Sequence, residues 1–225
     1  MGIVNMGAPK QIALELAQLT GAKVFVETGT YRGGTTRWAS RHFEVVHTIE
    51  RAKSFYDAHS PKLAQLKGVT PHFGDSREIL PRIVDQLGPQ KAVFWLDGHW
   101  SGGETAGQED QCPVMGELAA LSARSGDIIL IDDARLFLSA PPRGHIPAQW
   151  PTISEIVKAL PSATAKPFFV QVVDDVIFGI PDEPALKDRL IAYAQERSQS
   201  FWEEFGRIQR GELPLAARLK KLWSS

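Results

Sequence analysis

Short apolar runs alternate with amphipathic segments from the start of the chain to Ile131. The runs lie at 24–26, 45–49, 69–73, 92–96 and 128–131, and segments with helical character lie at 9–20, 34–41, 52–66, 76–87 and 113–123. Short apolar strands separated by helices of about ten residues are typical of a parallel sheet covered on both faces. The pattern therefore predicts a doubly wound, Rossmann-like α/β fold.

The pattern changes after Asp133. Residues 138–151 contain four prolines and predict an irregular loop, which a helix over 152–160 follows. Two further strands, 168–173 and 176–180, are separated only by Asp174 and Asp175, too few residues for a crossover helix. We therefore expect a mostly parallel seven-stranded sheet that ends in an antiparallel hairpin, with the domain at 1–181.

A helical C-terminal extension is expected over 182–225. Its apolar positions lie on two stripes, one of Phe201, Phe205 and Ile208 and another of Leu215, Leu219 and Leu222. Such stripes pack either on their own domain or on a second subunit. We expect packing on the chain's own domain together with some contact in a homodimer.

Charge and cysteine content exclude several classes of protein. Lys and Arg number 25 and Asp and Glu 26, a net charge of −1, which argues against binding nucleic acid or an anionic membrane by bulk charge. The single cysteine, Cys112, excludes an intrachain disulfide or a multi-cysteine zinc site and is expected to be structural. No run approaches the ~18 apolar residues of a membrane span. We expect a soluble, cytoplasmic protein with no membrane partner.

A glycine turn joins the first strand to the following helix. A dinucleotide-binding turn requires glycine where Tyr31 stands, and a phosphate-binding P-loop requires lysine where Thr35 stands. What remains is the pattern Glu27-x-Gly29-x-x-x-Gly33. A tight turn that uses glycine only for its backbone freedom is the alternative.

This pattern resembles motif I of the class I S-adenosylmethionine-dependent methyltransferases, in which the turn passes under the methionine moiety of the donor. Glu50 follows Gly29 by 21 residues, near the ~20-residue offset at which a carboxylate binds ribose hydroxyls in such sheets, although it could be an ordinary strand-end acid. Asp75 and Ser76 end the third strand, where the family places a polar residue against adenine. Either could equally cap the helix over 76–87, and one residue could do both. The predicted donor site comprises Glu27, Thr28, Gly29, Thr30, Tyr31, Gly33, Thr35, Glu50, Arg51, Asp75, Ser76 and Asp97.

Three carboxylates end the fourth and fifth strands. Asp97 follows one apolar run, and Asp132 and Asp133 follow the next, so the neighbouring strands would bring them together at one sheet edge. Hard oxygen ligands suit Mg²⁺ or another hard divalent cation, which would lower the pKa of a bound substrate hydroxyl. The alternative is that Asp97 touches the donor, Asp132 caps the next segment and no metal binds.

Short segments around these acids and the glycine turn resemble those of one particular methyltransferase family. Val26 to Gly29, Arg32 to Gly34, Leu96 to Gly98 and Ile131 to Asp133 are similar to those of the macrocin-type O-methyltransferases, which modify hydroxyls on sugars and natural products. The resemblance implies that Asp97, Asp132 and Asp133 bind magnesium. That family usually has an acid after Asp-Gly, whereas this chain has His99.

His99 is the predicted catalytic base, because it follows Asp97 closely and histidine has a near-neutral reference pKa. It could instead be a fourth metal ligand or a loop residue. His145 is a weaker candidate, and Arg135 could pair with the acids or hold an anionic substrate group. Loops 101–112 and 138–151 could be lids. Trp95 is expected in the core, and Trp100 either lines a substrate pocket or is buried.

The sequence thus predicts a metal-assisted O-methyltransferase that acts on a small hydroxylated acceptor, with Asp97 and His99 catalytic. The alternative from another class is a binding or regulatory protein that keeps the fold without turnover. A sugar-nucleotide or nicotinamide enzyme is disfavoured by Tyr31. A nucleic-acid methyltransferase is disfavoured by the charge balance and by the absence of an Asn/Asp-Pro-Pro-aromatic run.

Overall fold

A seven-stranded sheet with helices on both faces forms the body of the protein. The structure is a computed structural model and describes residues 7–103, 105–139, 141–160 and 168–212. The strands are β1 (Val24–Thr28), β2 (Val45–Glu50), β3 (Val69–Phe73), β4 (Ala92–Leu96), β5 (Ile128–Ile131), β6 (Phe168–Val173) and β7 (Val176–Pro181). The helices are α1 (Lys10–Thr20), α2 (Gly34–Ala39), α3 (Lys53–Leu63), α4 (Ser76–Leu87), α5 (Val114–Leu121), α6 (Arg135–Leu138), α7 (Ile153–Ala159) and α8 (Pro184–Gln209).

The strand order is β3-β2-β1-β4-β5-β7-β6. Strands β1 to β5 pair in parallel, and β7 runs antiparallel to both β5 and β6. The doubly wound sheet with a terminal hairpin is therefore confirmed. Because the order reverses between β1 and β4, the loops after these strands leave in opposite directions and open a crevice at the carboxyl edge.

Side chains of the central strands alternate between two apolar layers. Phe25 and Trp95 pack in the layer beneath α1 and α8, whereas Val26 and Phe94 pack in the layer beneath α4 and α5. All four are fully buried, which places Trp95 in the core as predicted. Since both faces are covered, β4 and β5 are apolar throughout instead of alternating with polar residues.

Several boundaries differ from the sequence prediction. β1 continues through Glu27 and Thr28, and β2 continues to Glu50, because these polar side chains are buried at the strand ends and the backbone remains paired. α3 ends at Leu63 instead of residue 66. The proline-rich loop begins after a short helix, α6, and contains a 3₁₀ turn over Pro147–Gln149.

α8 is the long helix of the predicted C-terminal extension. It buries Leu186 and Leu190 in the same layer as α1, so its first half packs on the sheet. In its second half Phe201 and Trp202 are 63% and 62% exposed. The second predicted stripe, of Leu215, Leu219 and Leu222, lies outside the described residues. Within the described ranges, no helix has the length and apolar character needed to cross a membrane.

A buried ion pair ties β4 to the turn before β5. Asp127 accepts a hydrogen bond from the backbone N–H of Ala92 at 2.7 Å, and its carboxylate also pairs with Arg124 at 2.6 Å. The Asp127 side chain is 1% exposed, whereas the ion pair of Lys23 with Glu44 is solvated on both sides. Breaking a buried pair leaves an uncompensated charge, whereas a surface pair contributes little.

We expect Asp127→Ala to lower the free energy of unfolding by about 3–5 kcal/mol, because it strands the Arg124 charge and the Ala92 N–H. Lys23→Ala should leave it nearly unchanged, because a solvated ion pair contributes little. Urea denaturation of both variants measures the difference. Equal losses of unfolding free energy in the two variants would contradict the conclusion that the buried pair contributes more than the exposed one.

Candidate functional site

A cavity of about 700 Å³ lies at the carboxyl edge of the parallel strands. It is lined by residues that follow β1, β2, β3, β4 and β5 and by the beginning of α1. Twelve of the predicted site residues line it: Glu27, Gly29, Thr30, Tyr31, Thr35, Glu50, Arg51, Asp75, Ser76, Asp97, His99 and Asp132. Residues spread over more than a hundred positions are thus brought into one crevice.

Three predicted residues lie behind the cavity wall. Thr28 is buried and its Oγ1 accepts a hydrogen bond from the backbone N–H of Asp97 at 3.1 Å. Gly33 is the N-cap of α2 with φ of 73°, and an added Cβ would meet Leu63. Asp133 is also absent from the lining and contacts His99 instead. These residues support the site from outside.

The turn after β1 requires glycine at Gly29. Its φ is 81°, and an added Cβ would lie 2.1 Å from the backbone oxygen of Asp97, far inside contact distance. The turn therefore runs directly against the end of β4. Tyr31 also has a positive φ, of 48°, and its N–H donates to Oε2 of Glu50 at 2.8 Å. That hydrogen bond helps to hold a backbone conformation which is uncommon for a non-glycine residue.

Glu27 is a buried carboxyl group at the base of the cavity. Its Oε2 accepts hydrogen bonds from the hydroxyls of Thr36 and Thr48, the latter at 2.8 Å. Burial raises its pKa to about 7, although these hydrogen bonds act in the opposite direction. A cationic group placed above Glu27 would favour its ionised form.

Glu50 has the placement expected of a ribose-binding acid. Oε2 accepts from the N–H of Tyr31 and Oε1 from the N–H of Ala52 at 2.7 Å, so the carboxylate is fixed by backbone. A carboxylate offers about four acceptor positions, which leaves capacity for two hydroxyls of a diol. Burial raises the pKa of Glu50. Glu50 thus fits a ribose-binding role, and it is also the last residue of β2, so both alternatives from the sequence stay open.

Asp75 both caps α4 and faces the cavity. Its Oδ1 accepts from the N–H of Arg77 at 2.9 Å, which is the helix-cap interaction. The side chain of Arg77 binds Asp75 again and also Asp110, in the loop after β4. The hydrogen bonds from Arg77 lower the pKa of Asp75. Arg51 reaches Asp75 at 3.5 Å and Asp110 at 3.4 Å, so two arginines tie this loop to the cavity wall.

The acids that end β4 and β5 converge as predicted. Burial raises the pKa of Asp97 well above its usual value, and the charge of Asp132 raises it further. Burial and the neighbouring Asp133 raise the pKa of Asp132 to about 7. Asp97 and Asp132 line the cavity, and His99 Nδ1 lies 4.0 Å from Asp97 Oδ1.

Asp133 is held by histidine. Its Oδ2 lies 2.9 Å from His99 Nε2, and its φ is 52°, so the chain turns sharply to direct this carboxylate at the ring. Burial by itself would raise the pKa of Asp133, but the hydrogen bond from His99, its charge and smaller contributions such as that of Asp175 together outweigh burial and leave the pKa below its usual value. Behind it, Asp175 binds Arg135 at 2.9 Å. Arg135 therefore pairs with Asp175, an acid next to the cluster that the sequence prediction did not include.

The three acids differ in orientation in the described structure, and the predicted magnesium site stays a prediction. Two carboxylates face the cavity, whereas Asp133 is turned towards His99. Among the described residues no group of three or more His, Cys, Asp or Glu side chains is arranged to hold a metal ion. The geometry instead joins His99 and Asp133 as a hydrogen-bonded pair.

The two predicted lid loops are packed against each other. Gln111 is buried between them: its Oε1 accepts from the N–H of Ile146 at 2.8 Å and from Nε1 of Trp150 at 3.0 Å. Trp100 is also buried, one of the two predicted placements, and its ring contacts His145. His145 does not line the cavity. Gln149, in the second loop, accepts a hydrogen bond from the N–H of Gln111 at 3.0 Å. The cavity roof is therefore a double layer of loops joined by the side chains of two glutamines.

The sequence prediction missed Glu117 on α5, which is 1% exposed and lies beneath the cavity floor. Its Oε1 would lie 3.1 Å from a Cβ added at Gly98. Burial raises its pKa to about 7, although the nearby hydroxyls of Ser76 and Thr28 act in the opposite direction. An acid within an apolar helix between site strands was the available signal. Lys10 and Phe55, which also line the cavity, carry no comparable motif.

Glu117 should make stability fall as pH rises. The unfolded chain ionises this carboxyl near pH 4.5, whereas the folded protein does so near pH 7, so stability is lost between these values. We expect Glu117→Gln to reduce this loss by about 2–3 kcal/mol, measured by denaturation at pH 4.5 and pH 8. Glu78→Gln, an exposed change on α4, should leave the loss unchanged. A wild-type pH slope in Glu117→Gln would contradict the assignment.

The fold matches those of solved methyltransferases. The O-methyltransferase TomG from Streptomyces achromogenes, involved in tomaymycin synthesis and solved with SAM, gives a TM-score of 0.54 at 18% identity over 80% of this chain and 82% of that one. The O-methyltransferase from Bacillus cereus, solved with SAH, gives 0.51 at 19% identity, covering 80% and 83%. SAH-bound methyltransferase PaMTH1 from Podospora anserina gives 0.50 at 16%, covering 79% and 80%.

No family model matches this sequence, and no curated protein matches it either. The likeness therefore concerns the fold: this chain has the class I methyltransferase sheet, with its cavity at the carboxyl edge where such sheets bind ligands.

Proposed function

We propose that the protein is an S-adenosylmethionine-dependent O-methyltransferase that acts on a hydroxyl of a small molecule such as a sugar or natural product. The observation that carries the proposal is the single cavity in which the turn at Gly29, the carboxylate of Glu50 and the acids Asp97 and Asp132 meet. The SAM- or SAH-bound neighbours and the resemblance to the macrocin-type enzymes support the same activity.

The strand order supports a donor that lies along the sheet edge. Asp75 and Ser76 follow β3 and would face adenine, Glu50 ends β2 and would bind ribose, and the turn after β1 would lie under the methionine moiety. Neighbouring strands are about 4.8 Å apart, so these three positions span a length suited to the donor. S-adenosylmethionine supplies the methyl group. The acceptor oxygen would then lie beside β4 and β5, near Asp97 and Asp132.

His99 is the proposed base. Its Nε2 is held by Asp133 at 2.9 Å, which fixes the ring and favours the tautomer with the proton on Nε2. Nδ1 then keeps a lone pair on the side of Asp97, where the ring lines the cavity. In the reaction the acceptor oxygen bonds to the methyl carbon, the carbon–sulfur bond breaks, and the hydroxyl proton passes to Nδ1. The protein contributes chiefly placement and proton removal.

A divalent cation that assists the reaction stays a prediction from the sequence. Asp97 and Asp132 are two hard oxygen ligands in the cavity, but Asp133 is engaged by His99, so no step is assigned to a metal here. Excess chelator tests the prediction, since a metal-assisted enzyme would lose turnover. Asp97→Asn should likewise abolish any turnover that depends on Mg²⁺.

S-adenosylhomocysteine should stabilise the protein. At a hundred times its dissociation constant a ligand adds about 2.7 kcal/mol, which raises the melting temperature by about 5–10 °C in a chain of this size. Thermal unfolding with S-adenosylhomocysteine, and with NAD as the comparison, measures this. Glu50→Gln should reduce the shift and the exposed Glu44→Gln should keep it. No shift, or an equal shift with NAD, would overturn the proposed function.

His99→Gln should lower kcat for methyl transfer by about 10²–10⁴-fold, because it removes the base, while KM for S-adenosylmethionine changes little. His145→Gln is the matched control and should retain activity. Turnover is assayed on a panel of sugars and hydroxylated natural products. Wild-type kcat in His99→Gln would exclude the base. Donor binding without turnover on any acceptor would favour a binding or regulatory protein.

A further inference from the structure

Two cations line the cavity without an ion-pair partner in the described structure. Arg51 is paired with Asp75 and Asp110, but Lys10 and Arg32 have no carboxylate within 4.0 Å among the residues that the structure describes. The same cavity is lined by a larger number of acids, which are Glu27, Glu50, Asp75, Asp97 and Asp132. An anionic group entering the cavity would therefore need one of these two cations.

Lys10 lies at the methionyl end of the cavity. It is the first residue of α1, and Gly7, just before it, touches the first turn of α2: a Cβ added at Gly7 would lie 2.6 Å from Thr35 Oγ1. Asp75 and Ser76, at the end of β3, lie two strands away from β1. The beginning of α1 is thus placed beside the turn under the methionine moiety and away from the adenine end.

The donor brings a carboxylate to this end. S-adenosylmethionine carries a positive sulfonium and a positive α-amino group, which acids such as Glu27 and Asp97 can offset, but its α-carboxylate would be repelled by the same acids. Ionised carboxylates bind strongly to ammonium groups through charge-assisted hydrogen bonds. We propose that Lys10 binds the α-carboxylate of the donor, an inference that rests on the proposed function.

Arg32 is the competing cation. Its guanidinium lies over the ring of Tyr31 at 5.2 Å, so it is stacked on an aromatic face beyond the turn. Lys10 also borders a second cavity, between α1 and α8, where Glu196 is found, but its ammonium makes no ion pair there. Lys10 therefore remains available to the donor cavity.

The test compares two ligands that differ only in this carboxylate, S-adenosylhomocysteine and its decarboxylated analogue, by calorimetry on the full chain. Wild type should bind S-adenosylhomocysteine about 5- to 20-fold more tightly than the analogue. Lys10→Gln should reduce this ratio to near one by weakening only S-adenosylhomocysteine. Lys23→Gln, a surface change outside the cavity, should keep the wild-type ratio, and added salt should reduce that ratio in wild type.

Three outcomes would overturn the assignment. One is that Lys10→Gln keeps the wild-type ratio of affinities for S-adenosylhomocysteine and its decarboxylated analogue. Another is that this ratio falls to near one in Arg32→Gln and not in Lys10→Gln. The third is that inorganic phosphate stabilises the wild-type complex with S-adenosylhomocysteine but not the Lys10→Gln complex, which would place an acceptor anion at Lys10. Failure of wild type to bind S-adenosylhomocysteine at all would instead remove the proposed function, so the two failures are distinguishable.

Discussion

The close approach of the turn after β1 to the end of β4 is the constraint on which the site depends. Gly29 lies so near the backbone oxygen of Asp97 that no side chain fits between them, and the N–H of Asp97 is bonded to both Thr28 O and Thr28 Oγ1. The turn proposed to hold the donor and the acid proposed to face the acceptor are therefore tied together by backbone contacts. Their relative position is set by the pairing of β1 with β4, whose last residues immediately precede them.

Several acidic side chains lie close together around these residues, and their negative charges repel one another. Burial raises the pKa of Glu27, Asp97, Asp132 and Glu117, while His99 keeps the pKa of Asp133 low. Such an arrangement costs stability in the free protein. It favours ligands that bring positive charge, as a sulfonium donor does, and the net charge of −1 gives no sign of this local concentration of acids. If the proposed function holds, a cationic donor would offset part of this cost when it binds.

Much of the fold could be predicted from the sequence, because buried parallel strands are continuously apolar and stand out, as at Ala92–Leu96. The ends of the strands were harder to predict than their centres. Glu27, Thr28 and Glu50 are polar, and they belong to their strands only because the backbone pairs there with neighbouring strands. The acids at 97 and 132 could be placed at one edge because their strands are neighbours. The pairing of His99 with Asp133 could not, since it depends on a positive φ at Asp133 that the sequence does not reveal. Glu117 was also missed by the sequence prediction, because its burial depends on how α5 packs in the folded protein.

The central claim is that one cavity holds the donor along the sheet edge with its sulfur beside the acids of β4 and β5. A crystal structure with S-adenosylhomocysteine tests it most directly. The account predicts the ribose hydroxyls on Glu50, the adenine near Asp75 and Ser76, and the sulfur facing Asp97 and His99. S-adenosylhomocysteine bound outside this cavity, or within it in the reverse direction, would contradict the account.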